Sequence, residues 1–281
     1  MKTRIISALV GTVILLAVLF CPWSWVFTLA AALLAAVAVY ELLHNTGMVK
    51  SKTLLAGGMV FAVVAVLLFT ENTVRSAWWL LALLAVFGAF VLTTWWVCRK
   101  TVTALSAAGA LAFSVYVTLG FAALAGLRTN FGTDYRGIVF VLLALVIPWM
   151  NDTGAYFVGT FLGKHKMAPV ISPKKSWEGF FGGWIISVGL TVVYGLICNA
   201  VQSPLRCPDV CQDFNLLLFA LLAAVLAPLS GVGDLLASVV KRRCGIKDYG
   251  NIMPGHGGVM DRFDSVIIIA PVLYIALSLW G

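Results

Sequence analysis

The chain has 281 residues, of which 62% are hydrophobic and only 11% charged, against roughly 45–50% and 25% in a soluble domain. That excludes a water-soluble globule, and at about 20 apolar residues per bilayer crossing, nine crossings leave too little chain for a separate soluble domain. The net charge of +8 lies in short loops without exposed aromatic residues interleaved, which argues against nucleic acid as a partner.

Taken in order, the first apolar run, Ile5 to Phe20, follows Lys2 and Arg4 and imitates a secretory signal. Leu19-Phe20-Cys21 lacks the small residues of a cleavage site, so a retained span is expected. Apolar runs recur at Trp25 to Leu43, Leu54 to Phe69, Ala77 to Cys98, Leu105 to Leu127 and Gly137 to Leu162. Three more cover Trp177 to Cys198, Phe214 to Val240 and Phe263 to Trp280. Gly and Pro interrupt them, which membrane helices tolerate when neighbours satisfy the freed backbone groups. The expected fold is all-α, a polytopic integral membrane protein with about nine transmembrane helices.

Lys and Arg favour cytoplasmic loops. With the N-terminus inside, alternation leaves only Arg75, Arg128, Arg136 and Arg206 outside, so fifteen of the nineteen Lys and Arg face the cytoplasm. The same alternation puts the loops of Lys174 and His256 inside, that of Arg206 outside, and the C-terminus outside. Acids are almost absent from the early spans, Glu41 being the main exception, whereas Asp152, Glu178, Asp234, Asp248, Asp261 and Asp264 gather later on the cytoplasmic side. Residues 1–136 are therefore read as scaffold helices of about five spans. Residues 137–281 are read as a catalytic membrane region of about four spans, with one cytoplasm-facing polar site.

Asn151-Asp152-Thr153-Gly154-Ala155-Tyr156 lies well inside the sixth run. An Asp near a helix centre costs about 2.5–3.5 kcal/mol on insertion scales, so it normally faces a cavity, a cation or a partner. Pro148 can kink the helix and open such a cavity. A structural Asp bonded to a neighbouring helix is the plainer alternative. Gly163-Lys164-His165-Lys166 follows, and Ser172-Pro173-Lys174-Lys175-Ser176-Trp177-Glu178-Gly179 then leads into the seventh span. With Ser176 as N-cap, lysines and free amides meet at a helix start, a natural anion site. Topology alone accounts for the lysines but not for Glu178.

The densest group runs from Gly233 to Asp264. At 100° per residue, Asp234, Ser238, Lys241 and Arg242 share a helix face, and Asp261 and Asp264, three apart, share another. Carboxylates approaching cations beside a Gly-rich backbone suggest a divalent ion with a polyphosphate. Mg²⁺ takes one or two protein carboxylates and completes its shell with phosphate oxygens and water, while Lys and Arg hold the remaining phosphate charge. Asp234, Asp248, Asp261 and Asp264 are the expected cation ligands, with Asp152 a further one. Gly255, Gly257 and Gly258 would let backbone approach a ligand closely. An electrostatic network joining two helices is the alternative. His256 fits loop structure or a phosphate contact equally well, because phosphate nucleophiles are already ionised near pH 7 and need no base. The six Cys form no CxxC pair, and a disulfide is open to Cys207 and Cys211 only in an oxidising compartment.

This string resembles the signature of the phosphatidate cytidylyltransferases, or CDP-diacylglycerol synthases. Ser238, Lys241, Arg242, Lys247, Asp248, Gly250, Pro254, His256, Gly257, Gly258, Asp261, Arg262 and Asp264 match it. Met253 stands where Leu, Ile or Phe is usual. Asp152 to Tyr156 and Ser172 to Gly179 resemble the family's two upstream motifs, Ser176 replacing a common Thr. The resemblance is tight over Gly137 to Asp264 and general before it. It implies transfer of CMP from CTP to phosphatidic acid, with release of pyrophosphate, dependence on Mg²⁺ and a second cation, a homodimer among membrane lipids, and a bacterial cytoplasmic membrane as location. Implied catalytic residues are Asp234, Lys241, Arg242, Asp248, Asp261 and Arg262. Implied substrate contacts are Lys164, Lys166, Ser172, Lys174, Lys175, Ser176, Ser238, Lys247, His256, Gly257 and Gly258. A cytidylyltransferase for another lipid phosphate is the near alternative. A transporter of a phosphorylated solute is the distant one, disfavoured because no repeat links the early and late spans.

Overall fold

The computed structural model describes residues 2–69, 74–131, 135–169, 171–202, 214–253, 255 and 257–280, and their side chains except at 2–6, 8, 74–77 and 202. The expectations for Pro254, His256, Arg206, Cys207 and Cys211 thus lie outside the described residues, as do the side chains of Lys2, Arg4 and Arg75.

Among the described residues there are nine α-helices: α1 (Lys2–Leu19), α2 (Ser24–Tyr40), α3 (Lys52–Phe69), α4 (Val74–Val97), α5 (Ala104–Thr129), α6 (Tyr135–Phe161), α7 (Trp177–Gln202), α8 (Leu216–Arg243) and α9 (Met260–Trp280). Eight are long and apolar enough to cross a bilayer, α2 together with the π-helical turn Glu41–Asn45 that continues it. In α1, the apolar stretch Leu9–Leu19 is shorter. Large apolar side chains such as Trp78, Trp96, Leu105, Phe161, Ile185 and Leu279 are exposed around the bundle. No soluble protein tolerates so wide an apolar surface, and the chain is an integral membrane protein.

Local chemistry sets the helix ends. Thr103 caps α5 by accepting from Ser106 N at 3.1 Å, and Asn215 caps α8 by accepting from Leu217 N and Leu218 N. Ser176 caps α7 as its sequence suggested, accepting from Gly179 N at 3.2 Å. The end of α8 is a Schellman turn: Gly245, at φ 69°, donates to Arg242 O, and Ile246 donates to Lys241 O. One element differs from expectation. Lys166–Ala168 (β1) and Ser172–Ser176 (β2) form an antiparallel hairpin where a basic loop is expected, because backbone pairing organises a segment with no apolar alternation to announce it.

Buried residues concentrate in α2, α3, α5, α6, α8 and α9. Polar side chains join the helices: Ser187 Oγ donates to Ile147 O at 3.0 Å, and Trp184 Nε1 donates to Ala224 O at 2.9 Å. In lipid such bonds, with close backbone packing, hold helices together. The closest approach lies between α6 and α7, where Gly154 and Gly159 face Gly179 and Gly183. A Cβ on Gly183 would stand 2.5 Å from Asn151 O and 2.9 Å from Ala155 N, both backbone atoms. Gly189 in the same helix has nothing within 4 Å. Gly183→Ala should therefore cost about 1–3 kcal/mol by overpacking, read as a lower Tm in detergent, whereas Gly189→Ala should leave Tm unchanged or raise it.

Candidate functional site

One face of the bundle collects the C-terminal end of α6, the β hairpin, the C-terminal end of α8, the loop after it and the first turn of α9. α8 carries Asp234, Ser238 and Lys241 on a half-buried face, as their spacing requires, and Arg242 on an exposed one. Two ion pairs tie this helix to its neighbours. Lys175 of β2 meets Asp234 Oδ2 at 2.5 Å, both side chains 28% exposed. Lys241 Nζ meets Asp261 Oδ1 at 2.9 Å, with exposures of 13% and 3%. Arg242 turns outward and donates from Nε to Ile171 O at 3.4 Å, so it braces the hairpin.

Asp261 and Asp264 share the start of α9 but not a task. Both oxygens of Asp261 are engaged, Oδ1 by Lys241 and Oδ2 by Tyr249 N at 2.7 Å and Gly258 N at 3.0 Å. Asp264 is 8% exposed and accepts on Oδ1 from its neighbour Ser265 N. Asp264 and Asp152 of α6 both lie within range of the charge of Asp234 and of each other. Lys175 lies within range of Asp152 and Lys241 within range of Asp264. Asp152 has no hydrogen bond or ion pair among the described residues. Three carboxylates thus converge between two lysines.

Asp152, Asp261, Arg262 and Asp264 close one end of a cavity of about 530 Å³. The rest of its wall is mostly apolar, including Leu15, Leu34, Phe121, Leu145 and Pro148 from α1, α2, α5 and α6. α6 runs unbroken through Pro148, which lines this space.

The remaining expected residues are more dispersed. Lys164, Lys166, Lys174, Lys247 and Asp248 are exposed, and Ser172 is partly so. Glu178 now has a local explanation. It accepts from the backbone amides of Lys164 and His165 and meets His165 Nδ1 at 2.6 Å, so it ties the loop after α6 to the first turn of α7. Tyr249 is buried, and its hydroxyl donates to Ala237 O at 3.0 Å. Burial, with Asp264 and Asp261 nearby, pushes that phenol up from its ordinary range.

Glu41 and Asn45 belong here although their motif lies 200 residues upstream. Asn45 Nδ2 donates to Tyr249 O, and Glu41 Oε2 accepts from Met260 N at 2.8 Å. A side chain on Gly258 or on Gly250 would collide with the Glu41 carboxylate. Gly258 therefore makes room for Glu41, where the sequence suggested room for a ligand. The signal for Glu41 was visible as the lone acid in an early apolar span, but nothing local assigned its partner.

No three of the His, Cys, Asp and Glu side chains described stand at mutual coordination distance. For Mg²⁺ this is a workable arrangement, since it needs one or two protein carboxylates and takes phosphate oxygens and water for the rest. Asp152, Asp234 and Asp264 supply hard oxygen donors of that kind. The oxygens of Asp261 are already bonded, and Asp248 is exposed on the loop.

The sequence profile of a family described as the cytidylyltransferase family matches residues 2–280. Proteins named phosphatidate cytidylyltransferase are similar along their whole length. That of Staphylococcus epidermidis is 33% identical over 279 residues, 99% of each chain. That of Staphylococcus haemolyticus is 34% identical over 282 residues, again 99% of each, and that of Bacillus subtilis 33% over 285 residues, 100% of this chain and 99% of its own.

The two bonded carboxylates make opposite predictions. Asp261→Ala would strand Lys241 and two amides in a buried place and should cost about 3–5 kcal/mol, seen as a large fall in Tm or loss of folded protein. Asp234→Asn breaks a half-exposed pair worth about 1 kcal/mol or less, so the protein should stay folded while turnover falls by about a hundredfold or more.

Proposed function

This chain belongs to the cytidylyltransferase family, and we propose that it is the enzyme transferring CMP from CTP to phosphatidic acid, giving CDP-diacylglycerol and pyrophosphate. The observation that carries this reading is the cavity, whose apolar wall suits an acyl chain and whose one polar end holds Asp152, Asp264 and Arg262. A lipid lying there presents its phosphate to the converging acids and lysines. A transporter reading has no comparable support.

The reaction is one in-line displacement: a phosphate oxygen of the lipid attacks the α-phosphorus of CTP, a P–O bond forms, and the bond to pyrophosphate breaks with its electron pair leaving on oxygen. The nucleophile is already ionised, so the protein's work is holding two anions together and offsetting their charge. A magnesium ion held by one or two of Asp152, Asp234 and Asp264 would neutralise charge on phosphate oxygens when bound. Lys175, half exposed on Asp234, can turn to an incoming polyphosphate at small cost. Lys241, fixed by Asp261, keeps a constant position beside Asp264. Arg262 stands where the lipid phosphate would enter.

The family resemblance extends to a second cation and a homodimer, which we adopt as part of the proposal. The charge bias extends to orientation, with the site facing the cytoplasm of a bacterial inner membrane.

Labelled CTP should enter lipid only when phosphatidic acid and Mg²⁺ are both supplied, and CTP made chiral by sulfur at the α-phosphorus should give product of inverted configuration. Retention, or label trapped on the protein without lipid, would eliminate the single displacement. For orientation, single Cys at Lys174 or Lys247 in a Cys-free variant should react with a membrane-impermeant reagent only in inverted vesicles, and Cys at Arg206 only in intact cells. Labelling of all three from one side would overturn the assignment.

A further inference from the structure

Glu41 is the one acid of the early spans inside the bundle, and it is 1% exposed. Burying a carboxylate is costly unless its oxygens are bonded. Here that satisfaction is partial: Oε2 accepts from Met260 N at 2.8 Å and the Val259 amide lies close by, while Oε1 is buried with no hydrogen-bond partner among the described residues. An apolar residue would fill this space without that cost, so packing does not explain the acid. What surrounds it does. The π-helical turn Glu41–Asn45 adds a residue to the helix at this point, and π turns of this kind recur at functional sites. Two of its polar side chains grip the same loop from two ends, Asn45 at Tyr249 O and Glu41 at Met260 N.

We infer that Glu41 is a positioning residue for cytidylyl transfer, acting through the backbone at Tyr249, Gly258 and Met260 on Asp261 and Lys241. By holding the amide of Met260, Glu41 fixes the first turn of α9. That turn brings Gly258 N and Tyr249 N onto Asp261 Oδ2, and Asp261 Oδ1 in turn fixes Lys241. The cation beside Asp264 is thus aimed by a carboxylate more than 200 residues away in sequence. Gly258 belongs to the same device. Its φ is ordinary, and the three atoms nearest to a Cβ there belong to the Glu41 carboxylate. Glu41 is thus the first neighbour that requires the glycine.

The inference rests on the cytidylyltransferase reading, so the test joins turnover to measurements that need none. In the full-length chain in detergent, Glu41→Ala should lower kcat by about tenfold to a hundredfold, the scale of a misplaced catalytic group, with KM for CTP changed less than about threefold. Glu41→Gln, which keeps an acceptor for Met260 N, should restore most of the rate. Gly258→Ala should lower both kcat and Tm in the wild-type background. Those losses should shrink when Glu41→Ala is also present, because the clash is gone, giving strongly non-additive effects. Amide exchange at Tyr249, Gly258 and Met260 should quicken in Glu41→Ala while α3 and α5 stay protected. Should Glu41→Ala fail to fold, Glu41→Asp draws the carboxylate back by one methylene and should also soften the loss from Gly258→Ala. Full turnover in Glu41→Ala, or losses in kcat and Tm that simply add in free energy, would overturn the inference. A wild-type chain that incorporates no CTP would instead overturn the functional reading, and the Tm and exchange results would still stand or fall by themselves.

Discussion

A carboxylate carried to the edge of a membrane must be neutralised where it stands, because lipid offers it neither water nor a counter-ion. That constraint organises the charged half of this protein. Asp261 is met by Lys241 and two amides, Asp234 by Lys175, Glu178 by the amides of Lys164 and His165, and Glu41 by the amide of Met260. Two of these contacts, Lys175 with Asp234 and Glu41 with Met260, also fasten elements that are distant in sequence. The acids that would be a liability in lipid have become the joints of the charged face. What is left after this accounting is informative. Among the described residues the Asp152 side chain has no bonded partner, and Asp264 is bonded only to the residue beside it. The fold supplies no structural reason for either, and both border the cavity.

The helices were legible because lipid imposes a simple rule on sequence, a long apolar run with its backbone bonded internally. Their ends were legible where the cap is local, as at Ser176. Legibility failed where a distant residue supplies the partner. The last span is apolar from Phe263 onward, yet α9 begins at Met260, since Glu41 accepts the first orphan amide from another helix. The hairpin failed for a different reason. Ser172-Pro173-Lys174-Lys175-Ser176 has no apolar face, so periodicity had nothing to report.

For the site, residue types and spacing marked several side chains that the fold brings close to one another but could not divide their contacts. Helical spacing placed Asp261 and Asp264 on one face as apparent equals. Tertiary contacts separate them, since the oxygens of one are filled by Lys241 and the loop while the other faces Asp234 and Asp152. The same holds for Lys241 and Arg242, neighbours in sequence, of which one points inward to Asp261 and the other outward to Ile171. Gly258 shows the limit most clearly. A glycine in a signature loop invites the thought of a ligand, and its occupant is a side chain of α2.

These contacts also revise how scaffold and site relate. The early helices supply most of the apolar wall of the cavity through Leu15, Leu34 and Phe121, and through Glu41 and Asn45 they hold the loop that closes its polar end. α2 and α9 meet over only a short stretch, so this clasp is a large part of what couples them. The wall that would receive an acyl chain and the loop that aims Lys241 therefore share one support. An error in seating α2 would displace both together, and the geometry of the charged site depends on helices that carry almost no charge of their own.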